Sequence, residues 1–195
     1  MTKMNSICVY CGSSNTVDQR YKDVAVELGT LLAKKDITLI FGGGGVGLMG
    51  LISDACLKAG GRAVGVMTEF LFEYEGTRRE ITELHVVKSM HERKCKMFDL
   101  SDGFIILPGG FGTLDEAFEI LTWRQVGLHN KGIVLLNAFN YWDGLVNVLI
   151  PHMIQEGFVR EEDKYAYHLC GTSEEAITAL EHVNGGKDSF ISKWG

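Results

Sequence analysis

The chain has 195 residues, 46% of them apolar and 23% charged, with a formal net charge of −6. That balance suits one globular domain able to bury a core without disulfides or a metal, and it argues against a disordered chain. It also disfavours a nucleic-acid polymer as partner, which calls for a basic face. No apolar run approaches the ~18 residues of a membrane helix, so no membrane partner is expected.

In chain order, Ser6–Tyr10 is a short apolar run closed by Cys11-Gly12-Ser13-Ser14, and Tyr21–Lys34 carries Val24, Leu28, Leu31 and Leu32 at helical spacing. A second strand, Ile37–Phe41, meets a run of four glycines, and a helix over Val46–Lys58 follows. Ala63–Met67 is a third strand, Glu69–Thr82 a charged and irregular loop, Leu84–Val87 a fourth strand and Met90–Leu100 a helix. Phe104–Leu107 is closed by Pro108-Gly109-Gly110 and followed by a helix over Leu114–Val126. Ile133–Leu136, a helix over Trp142–Glu156, a strand at Tyr167–Cys170, a helix over Ser173–His182 and a fraying polar tail from Asn184 to Gly195 complete the chain.

Strands alternating with helices predict an α/β fold: a Rossmann-like open parallel sheet of about seven strands with helices on both faces, in a single domain. The strands ITLIF, FIILP and IVLLN are apolar throughout, as strands covered on both faces must be. In such sheets ligands bind beyond the carboxyl ends of the strands, so the turns Gly12–Ser14, Gly42–Gly47 and Pro108–Thr113 are expected side by side.

Five cysteines are scattered along the chain. Cys8 and Cys11 form C-x-x-C, but three residues apart along a strand they face opposite ways, so both are expected as core residues of a reducing compartment. The six histidines show no ligand spacing, and no metal is expected. The first twelve residues hold no apolar run of signal-peptide length, which predicts a cytoplasmic chain.

Three segments carry chemistry. FGGGGVGLMG, residues 41–50, follows a strand and opens a helix, where backbone N–H groups meet anions. It contains G-x-G-x-x-G, but the next strand ends in Met67-Thr68-Glu69 without a well-placed ribose-binding acid, so a nicotinamide cofactor is disfavoured; tight strand–helix packing is the alternative reading of the glycines. The second segment is Pro108-Gly109-Gly110-Phe111-Gly112-Thr113-Leu114-Asp115-Glu116. Gly110, Gly112 and Thr113 offer donors to one phosphate, whereas Thr113-x-x-Glu116 also matches a capping box in which Glu116 bonds only backbone. In the third, Met90, Arg93, Met97 and Leu100 form one helical stripe, and an Arg in an apolar stripe must snorkel, pair or bind something.

Together FGGGGVGLMG, Met90-His91-Glu92-Arg93-Lys94 and PGGFGTLDE resemble the signatures of the LOG ("Lonely guy") family, the cytokinin riboside 5′-monophosphate phosphoribohydrolases. CVYCGSS and Ile120-Leu121-Thr122-Trp123 fit as well, so the resemblance spans nearly the whole chain. It implies a Rossmann-like homodimer that hydrolyses the N-glycosidic bond of a nucleoside 5′-monophosphate, a cytokinin riboside monophosphate or AMP, without metal or organic cofactor. Arg93 and Glu116 then match the catalytic pair. Substrate contacts are implied for Glu80, Lys94, Gly44, the turn Gly109, Gly110, Phe111, Gly112 and Thr113, and for Leu114, Asp115 and Thr122. The segment from Arg79 to Arg93 is shorter than in plant members, and Asp115 stands where many members have Glu. The competing function is a nucleotide-binding or carrier protein on the same fold, which keeps the glycine turns but does not require Arg93 and Glu116 together.

Overall fold

The computed structural model describes residues 4–75 and 81–184. Glu80, the rest of 76–80 and the polar tail 185–195 lie outside the described residues. Seven strands, β1 Ser6–Tyr10, β2 Thr38–Phe41, β3 Ala63–Thr68, β4 Glu83–Val87, β5 Gly103–Ile106, β6 Gly132–Leu136 and β7 His168–Cys170, form one sheet in the order β4-β3-β2-β1-β5-β6-β7. Every pairing is parallel. The α/β expectation of about seven parallel strands is borne out.

Alternate residues of each central strand enter two separate cores. Ile7, Val9, Leu39, Phe41, Ile105, Leu107, Val134 and Leu136 meet α1 (Gln19–Lys34), α2 (Gly47–Lys58) and α7 (Ser173–Asn184). Cys8, Tyr10, Ile40, Phe104, Ile106, Ile133 and Leu135 point the other way, against α4 (Met90–Asp99) and α5 (Phe111–Gln125). Cys8 and Cys11 therefore sit in opposite cores as free, buried thiols, and burial raises both above the ordinary thiol range. Among the described residues no group of metal-ligating side chains forms, and no helix is long and apolar enough to cross a membrane.

The chain winds outward from β1 to β4, returns, and winds the other way through β5, β6 and β7. The direction switches between β1 and β5, where a crevice opens at the strands' carboxyl ends. The turns after β1 and β5 meet there: the Gly12 N–H donates to the Pro108 carbonyl at 3.1 Å.

Three elements differ from expectation. Residues 69–75 of the expected loop are helical, α3 (Glu69–Glu75). Thr68 Oγ1 accepts the Leu71 N–H at 3.3 Å, and Glu69 places negative charge at the positive helix start. The helix expected over Trp142–Glu156 is continuous from 143 to 155 but not α throughout: Leu145–Leu149 is a π turn, and α6 follows it from Ile150. Pro151 brings no N–H to an α ladder, and the preceding turn widens to i→i+5 pairing. Helix α5 starts at Phe111 rather than Leu114, with Gly110 as its N-cap and no side chain capping it. Thr113 is then the third residue of the helix, so the capping box that Thr113-x-x-Glu116 also matches does not form.

Candidate active site

Glu116 is directed by that earlier helix start. One turn beyond the start of α5, its carboxylate faces α4 and accepts from Arg93 Nη1 at 2.7 Å. Arg93 reaches this point because Ser89 caps α4, its hydroxyl accepting the Glu92 N–H at 3.1 Å while Glu92 accepts the Lys88 N–H at 2.8 Å. Arg93 thus occupies the first turn of its helix, on the side of the sheet where the strands end. Its Nε donates to the Val66 carbonyl of β3 at 2.9 Å, and the Arg93 and Glu116 side chains are only 7% and 12% exposed. Burial pushes the Glu116 carboxyl above its ordinary value; the Arg93 charge and hydrogen bond oppose that shift without cancelling it.

The pair lines a cleft of about 570 Å³ at the switch point. Its floor is built by the turn Pro108–Thr113 and by Cys11–Ser14, and its apolar walls include Leu48, Met49, Leu71, Met90 and Tyr21. The uncapped N-terminus of α5 opens into it, so the backbone donors at Phe111, Gly112 and Thr113 and the positive end of the helix dipole face the same space as the ion pair. An anion at the helix start and an electron-poor centre beside Glu116 fit together in one ligand.

Gly109, Gly110, Phe111, Gly112, Thr113 and Asp115 line this cleft together with Arg93 and Glu116. Lys94, Leu114, Thr122 and Gly44 do not line it. Lys94 Nζ is bonded to Asp115 at 3.1 Å and to Glu119 at 3.1 Å, behind the cleft on the seam between α4 and α5. Burial works against the Lys94 charge, but the bonds to Glu119 and Asp115 outweigh it and hold the ammonium above its ordinary value. Leu114 packs into the second core. Thr122 bonds the Phe118 carbonyl at 2.7 Å and lines a separate groove between α5 and α6.

Gly44 is buried but does not line the cleft. At the helix that the glycine-rich turn opens, the first two donors of α2 are already taken. The Gly47 N–H bonds Asn15 Oδ1 at 2.8 Å and the Leu48 N–H bonds the Gly12 carbonyl at 3.0 Å. What the turn needs glycine for is close approach. A Cβ on Gly42 would stand 2.1 Å from Arg93 Nη2, and Gly47, at φ +60°, has the Ser13 backbone where its Cβ would be. Gly42 makes room for the chain's own arginine.

Tyr21, Asp18 and Tyr141 complete the cleft and were not apparent in the sequence. Their signal was position: Tyr141 follows β6 and Asp18 caps α1, both at the ligand end of the sheet.

A sequence model of the family described as "Possible lysine decarboxylase" matches residues 49–180. The chain is 41% identical over 192 residues to the cytokinin riboside 5′-monophosphate phosphoribohydrolase LOG1 of Arabidopsis thaliana, covering 98% of this chain and 90% of the relative. It is 40% identical over 180 residues to the enzyme of the same name, LOG, from Oryza sativa subsp. japonica, covering 92% and 74%. Among solved structures, the molybdenum cofactor carrier protein of Chlamydomonas reinhardtii superposes with a TM-score of 0.70 at 17% identity, covering 94% of this chain and 99% of the carrier. The molybdenum cofactor binding protein of Rippkaea orientalis gives 0.69 at 20%, again over 94% and 99%. At those identities the structural likeness speaks for the fold alone, whereas the full-length identity to the plant enzymes reaches further: the chain belongs to the LOG family.

Proposed function

We propose that the protein hydrolyses the N-glycosidic bond of a nucleoside 5′-monophosphate, a cytokinin riboside monophosphate or AMP, releasing the free base and ribose 5-phosphate. The observation that carries this is the Arg93–Glu116 pair beside the uncapped start of α5, in one cleft. The names of the plant relatives support it.

The C1′–N bond breaks and its electron pair leaves with the base, which takes up one proton. A water oxygen bonds C1′ and gives up one proton. The sugar passes through a cation-like state, as in glycoside hydrolysis. Glu116 supplies the negative charge that stabilises it and holds the ribose hydroxyls. Arg93 stays charged and acts electrostatically, not as a proton donor. The phosphate sits on the backbone donors from Gly110 to Thr113. Lys94 acts from behind, holding α5 through Asp115 and Glu119.

Lysine decarboxylation does not fit this cleft. Pyridoxal-phosphate chemistry requires a lysine to form a Schiff base, and among the described residues lining the cleft there is none.

The same reading includes a homodimer in the cytoplasm. Supporting the dimer, α5 and α6 leave Phe118, Leu121, Thr122, Ile150 and Met153 around an apolar groove of about 180 Å³, with Val148 and Leu149 exposed nearby. Trp123 contributes inward, edge-on to Phe98 at 5.2 Å. Incubating the protein with AMP tests the activity: free adenine and ribose 5-phosphate in equal amounts are expected, and AMP that binds but stays intact would make the protein a carrier. Light scattering tests the dimer; a monomer at micromolar concentration with full activity would refute it.

A further inference from the structure

The loop after β6 carries a conformation that its residues do not choose freely. Phe139 and Asn140 lie consecutively in the left-handed region, at φ 56° and 61°, where a bulky non-glycine residue is strained. The loop is held there from several sides. Asn137 Nδ2 donates to Asp143 Oδ1 at 2.8 Å, and the Trp142 N–H donates to Asn137 Oδ1 at 2.7 Å. Arg20 lies over the Phe139 ring at 4.9 Å, and Tyr21 meets both Phe139 and Tyr141 edge-on at 5.7 Å. Strain kept in place by so many contacts points to a residue that must stand in one position.

That residue is Tyr141. Its hydroxyl donates to the Gly109 carbonyl at 2.8 Å. One residue earlier, the Pro108 carbonyl accepts the Gly12 N–H at 3.1 Å. Two successive peptides of the turn are therefore pinned by their carbonyl oxygens. A trans peptide is planar with its C=O and N–H opposed, so each pin also sets the direction of the following N–H. Gly109 and Gly110 have no side chains of their own to fix the turn, and a Cβ on Gly110 would meet nothing within 4 Å. Glycine's own backbone preferences do not hold these peptides in one orientation.

We propose that Tyr141 is a positioning residue, which pins the Gly109 carbonyl so that the Gly110 N–H and the start of α5 present fixed donors to the 5′-phosphate. This rests on the phosphate placement given above. It separates Tyr141 from a mere wall of the cleft, because its effect must pass through the phosphate.

The test is Tyr141→Phe, which keeps the ring and its edge-on contacts and removes only the hydroxyl. Tyr141 is 42% exposed, so the variant is expected to melt close to wild type. The dissociation constants of AMP and of ribose 5-phosphate, measured by calorimetry, are expected to rise between roughly 3- and 10-fold, the value of one hydrogen bond. KM for AMP rises with them while kcat changes little, and adenosine, which lacks the phosphate, is bound or cleaved as by wild type. Unchanged affinity for both phosphates overturns the proposal, as does an equal loss for AMP and adenosine. Binding does not depend on turnover. A wild-type protein that binds AMP without cleaving it contradicts the hydrolase function yet leaves the Tyr141 comparison decisive, and one that binds neither phosphate overturns the placement and this proposal together.

Discussion

Replacing Glu116 by Gln removes one charge and almost nothing else. The amide oxygen still accepts from Arg93 Nη1, now at 2.7 Å from Glu116 Oε1, and no helix cap is lost, because Gly110 and not Thr113 opens α5. A unit negative charge about 4 Å from a unit positive charge is worth roughly 4 kcal/mol at an effective dielectric of about 20. The neighbouring Arg93 cancels part of it, and the sugar carries less than a full charge. Roughly half, about 2 kcal/mol, survives, and kcat for AMP is expected to fall by about 30-fold. Binding of AMP through its phosphate remains. Some stability is lost, because Arg93 keeps a buried charge without its counter-charge, and the carboxylate desolvation that is saved offsets only part of this. The pH profile adds a second signature. Burial raises the Glu116 carboxyl above its ordinary value, and the ionised form is the active one. Wild-type kcat therefore falls as pH drops through that raised value, and this acidic limb disappears in Glu116→Gln. Adenine release followed against pH in both proteins measures all of this. A folded Glu116→Gln enzyme with near wild-type kcat refutes the charge argument.

Gly42→Ala places a Cβ 2.1 Å from Arg93 Nη2; the guanidinium must move, so kcat is expected to fall at least about 10-fold with a stability loss of about 1–3 kcal/mol, and an unchanged kcat at unchanged melting temperature would show that Arg93 does not need that space. His129 is held neutral: its Nδ1 accepts the Lys131 N–H at 3.1 Å, leaving Nε2 to donate to the Ile120 carbonyl at 2.9 Å. Burial lowers its pKa below the usual 6.5, so the unfolded chain binds the extra proton first and stability is lost as pH falls from 6.5 through the folded value. Melting temperatures between pH 7.5 and 5.5, about one unit either side of that range's upper edge, should fall more steeply for wild type than for His129→Asn; parallel curves would contradict this.

The sheet was legible in the sequence because buried parallel strands cannot hide: ITLIF, FIILP and IVLLN are apolar on both faces and end in glycine, proline or polar turns. The Arg93–Glu116 pair was legible only in part. Arg93 on an apolar stripe signalled a buried charge that needed a partner, and that partner is Glu116. The start of α5 was misplaced because Thr-x-x-Glu fits a capping box whether or not one forms; the free donors of Gly110 and Phe111 come from the turn's shape. The four-glycine run looked like an anion cradle because a backbone that admits a phosphate and one that admits a guanidinium need the same missing side chains. Gly42 makes room for Arg93, 51 positions later, which also bonds the Val66 carbonyl of β3. Residues 69–75 looked irregular because their charges obscure a short amphipathic turn that puts Leu71 into the cleft. Tyr141 was hidden by its neighbour Trp142, which marked the start of a helix, while the strain at Phe139 and Asn140 is a property of three-dimensional closure alone.

The most direct measurement compares kcat/KM for AMP and adenosine in the same preparation, reading free adenine. The two substrates share the base, the ribose and the bond that breaks, and differ only in the group that the start of α5 would hold. Binding energy at such a remote group lowers the barrier at the reacting bond. AMP is expected to be cleaved at least about 10²-fold more efficiently than adenosine, with adenine and ribose 5-phosphate formed in equal amounts. Equal efficiencies, or no adenine from either, would contradict the account.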